Sequence, residues 1–141
     1  MDRWKMGHVG YVVKNMEGAL KRFAKEGCSV LIPATDDPLQ KVSCALLSMP
    51  GDCNIELVAP LDGQESPLTG RLARQGGLDH ICFIVPDLAK ALSQEVERGS
   101  IPVCQPTYAV TFNADIAFVH RRSGLVVELM AFNSNSHSRE I

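Results

Sequence analysis

The sequence predicts an α+β fold built of two β-α-β-β-β modules in tandem. Two observations carry that expectation. Slid along itself by 72 residues, the chain lays "HVGYVV", which begins at His8, over "HICFIV", which begins at His80. In each half, moreover, one run with helical spacing lies between runs of strand type. Over residues 8–59 the offset yields ten identities without a gap, among them Ala19 with Ala91, Gly27 with Gly99, Thr35 with Thr107 and Ala45 with Ala117. Matches at one fixed offset mark duplicated structural units.

The elements follow in order. "HVGYVVKN" is rich in β-branched and aromatic residues and reads as a strand. "MEGALKRFAKEG" has apolar residues at 16, 19, 20 and 23 and closes on Gly27, which is a helix with a glycine stop. Strands are expected near 28–32, 42–48 and 54–59, with a tight turn at "MPGD". The second half repeats this: strand "HICFIVPD", helix "LAKALSQEVERG" ending at Gly99, then strands near 101–104, 114–120 and 125–132 with a turn at "RRSG". Between the halves, Ser66 as N-cap and Pro67 at the first helical position predict a short connector helix. The expectation is a single domain over 1–141, with module 1 at 7–60, the connector at 61–77, module 2 at 78–132 and a disordered tail over 133–141. That tail, "NSNSHSREI", holds His137 in a polar stretch with no apolar pattern.

Composition narrows the function classes. At 141 residues, 45% hydrophobic and 21% charged, the chain has the makings of an ordinary globular core. A formal charge of −2 leaves no basic footprint for nucleic acid. No apolar run approaches the roughly 20 residues of a membrane span, and "MDRWKMGHVG" has no secretory pattern. The expected partner is a small-molecule substrate and the expected location the cytoplasm. Five cysteines, odd in number and without a C-x-x-C pair, are expected to be reduced and mostly buried. Oligomeric state is left open by the sequence, with a symmetric homodimer the form expected if the chain assembles.

Four polar residues stand out because their strands are otherwise apolar. His8 pairs with His80 at the offset, and Glu56 in "IELVA" pairs with Glu128 in "VELMA". A buried imidazole or carboxylate needs a partner, and two buried carboxylates repel each other. Two imidazoles and two carboxylates suit one divalent metal of the Zn, Ni, Co, Mn or Fe type, with water completing the shell. A strand histidine taken alone is more often a satisfied core residue, whereas both pairs at matched positions favour the ligand reading. His120, beside Arg121 and Arg122, has Ser48 as its counterpart and stands outside the pattern. Contact with an anionic substrate at a cavity mouth and a plain exposed turn both remain open for it.

A tandem of such modules, with a histidine opening the first strand and a glutamate in the last strand of each, resembles the vicinal oxygen chelate superfamily, also called the glyoxalase and bleomycin resistance fold. The resemblance covers 7–132. "SPLTGRLARQGGLDHICFIVPDLAKAL" and "IAFVHRRSGLVVELM" are most similar to the methylmalonyl-CoA epimerase family. The resemblance implies a curved mixed sheet around a metal-binding cavity, with His8, Glu56, His80 and Glu128 as ligands. It further implies an isomerase that moves a proton beside a metal-chelated carbonyl, with an acyl thioester among the candidate substrates. Glu128 maps to one base of the epimerases. Their second lies in a Pro-x-Gln-Gly-Val-x-Glu segment, and "DPLQKVSCALL" places Cys44 there, with Gln40-Lys41 for Gln-Gly. A thiol is a poor base unless its pKa is depressed.

The same ligand set is that of glyoxalase I, a lyase in which a metal-bound glutamate acts as base; Glu56 and Glu128 divide the work on that reading. The stretch after His8, "VGYVVKN", has no counterpart of the arginine that glyoxalases use for glutathione. An extradiol dioxygenase needs two histidines and one glutamate on iron, against which Glu56 is one ligand too many. A non-catalytic small-molecule-binding or resistance protein on this fold usually lacks the quartet. Substrate choice is expected to rest on 33–41 and on Tyr108 to Asn113.

Overall fold

A computed structural model of the chain describes residues 3–61 and 76–132. The expected connector helix with Ser66 and Pro67, and the tail with His137, fall outside the described residues. The elements are β1 (Lys5–Val12), α1 (Met16–Lys25), β2 (Ser29–Asp37), β3 (Val42–Ser48), β4 (Asn54–Pro60), β5 (Gly77–Ile84), α2 (Leu88–Glu97), β6 (Ile101–Pro102), β7 (Thr107–Ala109), β8 (Ala114–His120) and β9 (Val126–Phe132). Both helices start on a side-chain cap at the same place in the pattern. The Asn15 carboxamide oxygen accepts from the Gly18 amide at 2.7 Å, and the Asp87 carboxylate accepts from the Lys90 amide at 3.0 Å. Both also end where expected, at Gly27 (φ 95°) and Gly99 (φ 98°), a left-handed conformation that suits a residue without Cβ.

Two compact units result, Val9–Asp79 and a second one formed by Met1–His8 with His80–Ile141. In the first, the strand order is β2-β3-β4-β1, with β1 parallel to β4 and the other neighbours antiparallel. In the second, the order is β5-β9-β8-β6, with β5 parallel to β9 and β7 added to β8. The parallel pairs keep matching registers: Gly10 lies opposite Glu56, and Cys82 lies opposite Glu128. Strand alternation then divides each sheet into two faces. In the first unit Val13, Ala45, Leu47, Ile55, Leu57 and Ala59 join Ala19 of α1 in a buried cluster. In the second, Val85, Val119, Val127 and Leu129 pack with Ala91 of α2. Alanine at the helix contact lets each helix lie close on its sheet, and the 72-residue offset carries Ala19 onto Ala91. The opposite faces hold the polar residues that stood out in the sequence.

Three features depart from the pattern. The single strand β2 corresponds in the second unit to two short pieces, β6 and β7, and Pro106, which has no N–H to give a ladder, lies in the gap between them. All five cysteines are free, as expected, yet only Cys44 and Cys82 are buried while Cys104 is exposed. No helix among the described residues is long and apolar enough to cross a membrane.

The third departure is a buried ion pair. Glu95, only 1% exposed, sits on α2 and receives Nε of Arg121 at 3.0 Å, Nη2 of Arg121 at 2.9 Å and the Ser100 hydroxyl at 2.8 Å. Burial pushes its pKa up, but the hydrogen bonds from Arg121 and Ser100 and the charges of Arg121 and Arg98 together bring it below its ordinary 4.5. A carboxylate depressed in the folded state stabilises fully above its unfolded pKa and loses that contribution as pH falls through the folded value. Glu95→Gln is therefore expected to cost about 1–3 kcal/mol at neutral pH, less than for a fully buried pair because the orphaned Arg121 can hydrate. The gap in melting temperature between the two proteins should close as pH drops well below 4.5. A gap that persists in acid would assign the loss to packing alone.

Candidate metal centre

The second unit gathers three of the four expected ligands. His8 stands at the end of the β1 segment that belongs to this unit, His80 on β5 and Glu128 on β9, with exposures of 1%, 5% and 2%. Gly7 helps to bring the first two together. A Cβ there would meet Cys82 Sγ at 3.3 Å and Ile84 Cγ1 at 3.2 Å, so glycine keeps the chain close to β5 just before His8. Nε2 of His8 lies 3.0 Å from Glu128 Oε1, and Nε2 of His80 lies 3.2 Å from the same oxygen. One ligand atom from each of the three falls within 4.8 Å of the others. Two imidazole nitrogens and a carboxylate oxygen so placed are a donor set that fits a divalent first-row metal. The reason is in the sequence: even-numbered residues of β5 and β9 share a face, and His80 and Glu128 are both on it.

Aromatic rings fix the imidazoles. His8 stacks on Phe112 with centroids 5.1 Å apart and planes at 7°, while His80 meets Phe118 edge-on at 5.2 Å and 89°. The two imidazoles are themselves 5.7 Å apart and nearly perpendicular. Phe118 follows from strand alternation on β8, but Phe112 has no such signal. It sits in the turn between β7 and β8 that Asn113 closes in the left-handed region, φ 52°, a conformation asparagine tolerates. That turn was expected to bear on substrate choice; its contact with His8 was not legible.

Glu56, 5% exposed, lies on β4 in the first unit. Cys44, also 5% exposed, lies on β3 with Val12, Val42 and Val58 around it, on the same sheet face as Glu56. His120 ends β8 opposite Val126 and Ile101, exposed, on the face of Phe118. Gln40 and Lys41 belong to a hairpin organised by Asp37, whose carboxylate accepts from the Leu39 amide at 3.0 Å, the Gln40 amide at 3.1 Å and the Gln40 side chain at 2.7 Å. Lys41 takes φ 59°, a conformation natural to the glycine that the epimerase pattern has there.

Fold and donor set together define a class. The sequence profile of the Glyoxalase/Bleomycin resistance protein/Dioxygenase superfamily matches residues 7–118, and the chain belongs to that superfamily. A relative, the ethylmalonyl-CoA/methylmalonyl-CoA epimerase of Cereibacter sphaeroides, is 32% identical over 99 residues, covering 68% of this chain and 72% of its own. Among solved structures, the methylmalonyl-CoA epimerase of Mycobacterium tuberculosis superposes with a TM-score of 0.78 at 25% identity, covering 91% of this chain and 87% of that one. A Streptomyces coelicolor methylmalonyl-CoA epimerase in complex with 2-nitronate-propionyl-CoA gives 0.78 at 20% identity, over 92% and 98% of the two chains.

Proposed function

We propose that this protein is a metal-dependent enzyme of epimerase type that moves a proton at the acidic carbon of an acyl thioester. The observation that carries the reading is the convergence of His8, His80 and Glu128 in a buried, aromatic-walled group. We assign Glu56 as the fourth ligand, because it holds in the β1–β4 register the position that Glu128 holds in the β5–β9 register. The substrate class is supported by the Cereibacter relative, named for ethylmalonyl-CoA and methylmalonyl-CoA, and by the propionyl-CoA analogue on the Streptomyces protein.

A divalent metal held by these residues supplies Lewis-acid polarisation of the carbonyl next to the acidic carbon, worth several kcal/mol where negative charge develops. Glu128 accepts the proton and returns it. Phe112 and Phe118 hold the imidazole planes, so the nitrogens keep their aim. His120, exposed at the end of β8, is assigned to the substrate's anionic group. A glyoxalase-type lyase remains the second reading, favoured by one observation: position 44 offers a thiol where two-base epimerisation needs a carboxylate.

The experiment is metal loading of chelator-treated protein followed by thermal melting. Added Zn or Co at 100 times its Kd is expected to stabilise the fold by about 2.7 kcal/mol. His80→Ala should abolish that gain. A wild-type melting temperature indifferent to every first-row metal would end the reading. Proton exchange on a 2-substituted malonyl thioester, set against turnover of a glutathione hemithioacetal, separates epimerase from lyase.

A further inference from the structure

The second unit has a cavity of about 820 Å³ on the helix side of its sheet, the face opposite His80 and Glu128. Its walls include the rings of Trp4 and Phe83, 5.9 Å apart at centroids, and the side chains of Arg98, Arg121 and Arg122. Arg121 is engaged by Glu95 and rests over Phe83 at 5.6 Å. Arg98 and Arg122 are exposed and have no ion-pair partner among the described residues. The cavity thus carries three arginines against the one carboxylate of Glu95 and is walled on one side by aromatic surface. Its volume is that of a small-molecule site.

The first unit shows that the fold does not require this cavity. At the 72-residue offset, Phe83, Glu95, Ser100, Arg121 and Arg122 correspond to Tyr11, Phe23, Cys28, Met49 and Pro50. There Tyr11, Phe23, Cys28 and Met49 pack on the buried cluster, Tyr11 meets Phe23 at 5.5 Å, and Pro50 Cγ would lie 3.1 Å from a Cβ on Gly27. That corner is filled with apolar side chains. In the second unit the equivalent corner is open and cationic, and Gly99 leaves room for the Arg122 stem, since a Cβ there would sit 2.8 Å from Arg122 Cδ. The guanidinium groups of Arg98 and Arg122 both present forks that fit phosphate oxygens. The Trp4 ring beside them, tilted 45° to Phe83, is an aromatic surface that fits a base.

We propose that this cavity binds a nucleoside phosphate, its base against Trp4 and its phosphates on Arg98 and Arg122. The site is independent of the metal centre. Two sources offer this chemistry, a free nucleotide and the nucleotide end of a coenzyme A thioester.

Trp4 is the sole tryptophan of the chain, so its fluorescence reports on the site directly. Chelator-treated protein is titrated with adenosine 3′,5′-bisphosphate, coenzyme A, adenosine and inorganic phosphate. Saturable quenching by the bisphosphate is expected, with adenosine and phosphate each at least about tenfold weaker. Arg98→Gln with Arg122→Gln should weaken the bisphosphate by about tenfold or more while leaving the circular dichroism and metal binding unchanged. Tighter binding of coenzyme A than of the bisphosphate assigns the site to a thioester carrier, and the reverse order assigns it to a free nucleotide; either supports the site. Absence of saturable quenching by both, or quenching indifferent to loss of the two arginines, overturns it. Because the titration is done without metal, failure of the metal centre leaves this result intact.

Discussion

Glu128→Gln is expected to slow solvent deuterium exchange at the acidic carbon of a 2-substituted malonyl thioester by about 10²–10⁴-fold, the range for loss of a positioned general base. The change preserves volume and one oxygen donor, so the strand pairing of β9 with β5 and β8 should survive. Exchange is followed by mass spectrometry in deuterated buffer at saturating metal, which separates the base from the ligand role. Glu56→Gln is the contrasting variant. As a ligand alone it should lower metal affinity and leave much of the exchange rate once metal is saturating. Equal loss in both variants fits the lyase reading, in which the two glutamates share the work. Full exchange in Glu128→Gln would move the base elsewhere, and Glu95, a buried carboxylate of the same unit, is already committed to Arg121 and Ser100.

How much of this was legible depended on the kind of signal each residue leaves. His80 and Glu128 were readable because strand periodicity fixes a face, and a polar residue on an apolar face is conspicuous in one dimension. The 72-residue offset then pointed to His8 and Glu56. Phe112 was not readable, because a turn has no period; its stacking on His8 follows from a left-handed Asn113 and not from spacing. The Glu95–Arg121 pair was hidden for another reason. Glu95 lies on a helix among other charged residues and Arg121 at a hairpin, where both normally face water. Only the packing of α2 against β8 and β9 buries the carboxylate, and no local pattern announces it. The strand expected near 101–104 is only the two-residue β6, and β7 at Thr107–Ala109 lies beyond the expected bounds, with Pro106 in the gap between them.

Cys44→Glu tests the most specific departure from the epimerase pattern. Inversion at carbon requires a proton to leave one face and another to arrive on the opposite face, so a site with Glu128 alone should exchange the proton and mostly restore the original configuration. The wild type is therefore expected to wash deuterium into the substrate much faster than it inverts it. A carboxylate at position 44 should raise inversion by about 10²-fold, the lower end for an added acid–base group, and bring the two rates together. It must do so from a difficult place, since Cys44 is 5% exposed among Val12, Val42 and Val58. Burying a carboxylate there costs about 2–4 kcal/mol unless it meets a cation or donors, so the variant's melting temperature should rise more with added metal or substrate than the wild type's. Cys44→Ala is the control, expected to leave exchange within about twofold, since a neutral thiol contributes little as a base. Loss of exchange in Cys44→Ala would make the thiolate the base and reverse the roles of the two faces. Inversion as fast as exchange in the wild type would place a second base outside β3, and the side chains of the turn from Tyr108 to Asn113 would then be the first to replace.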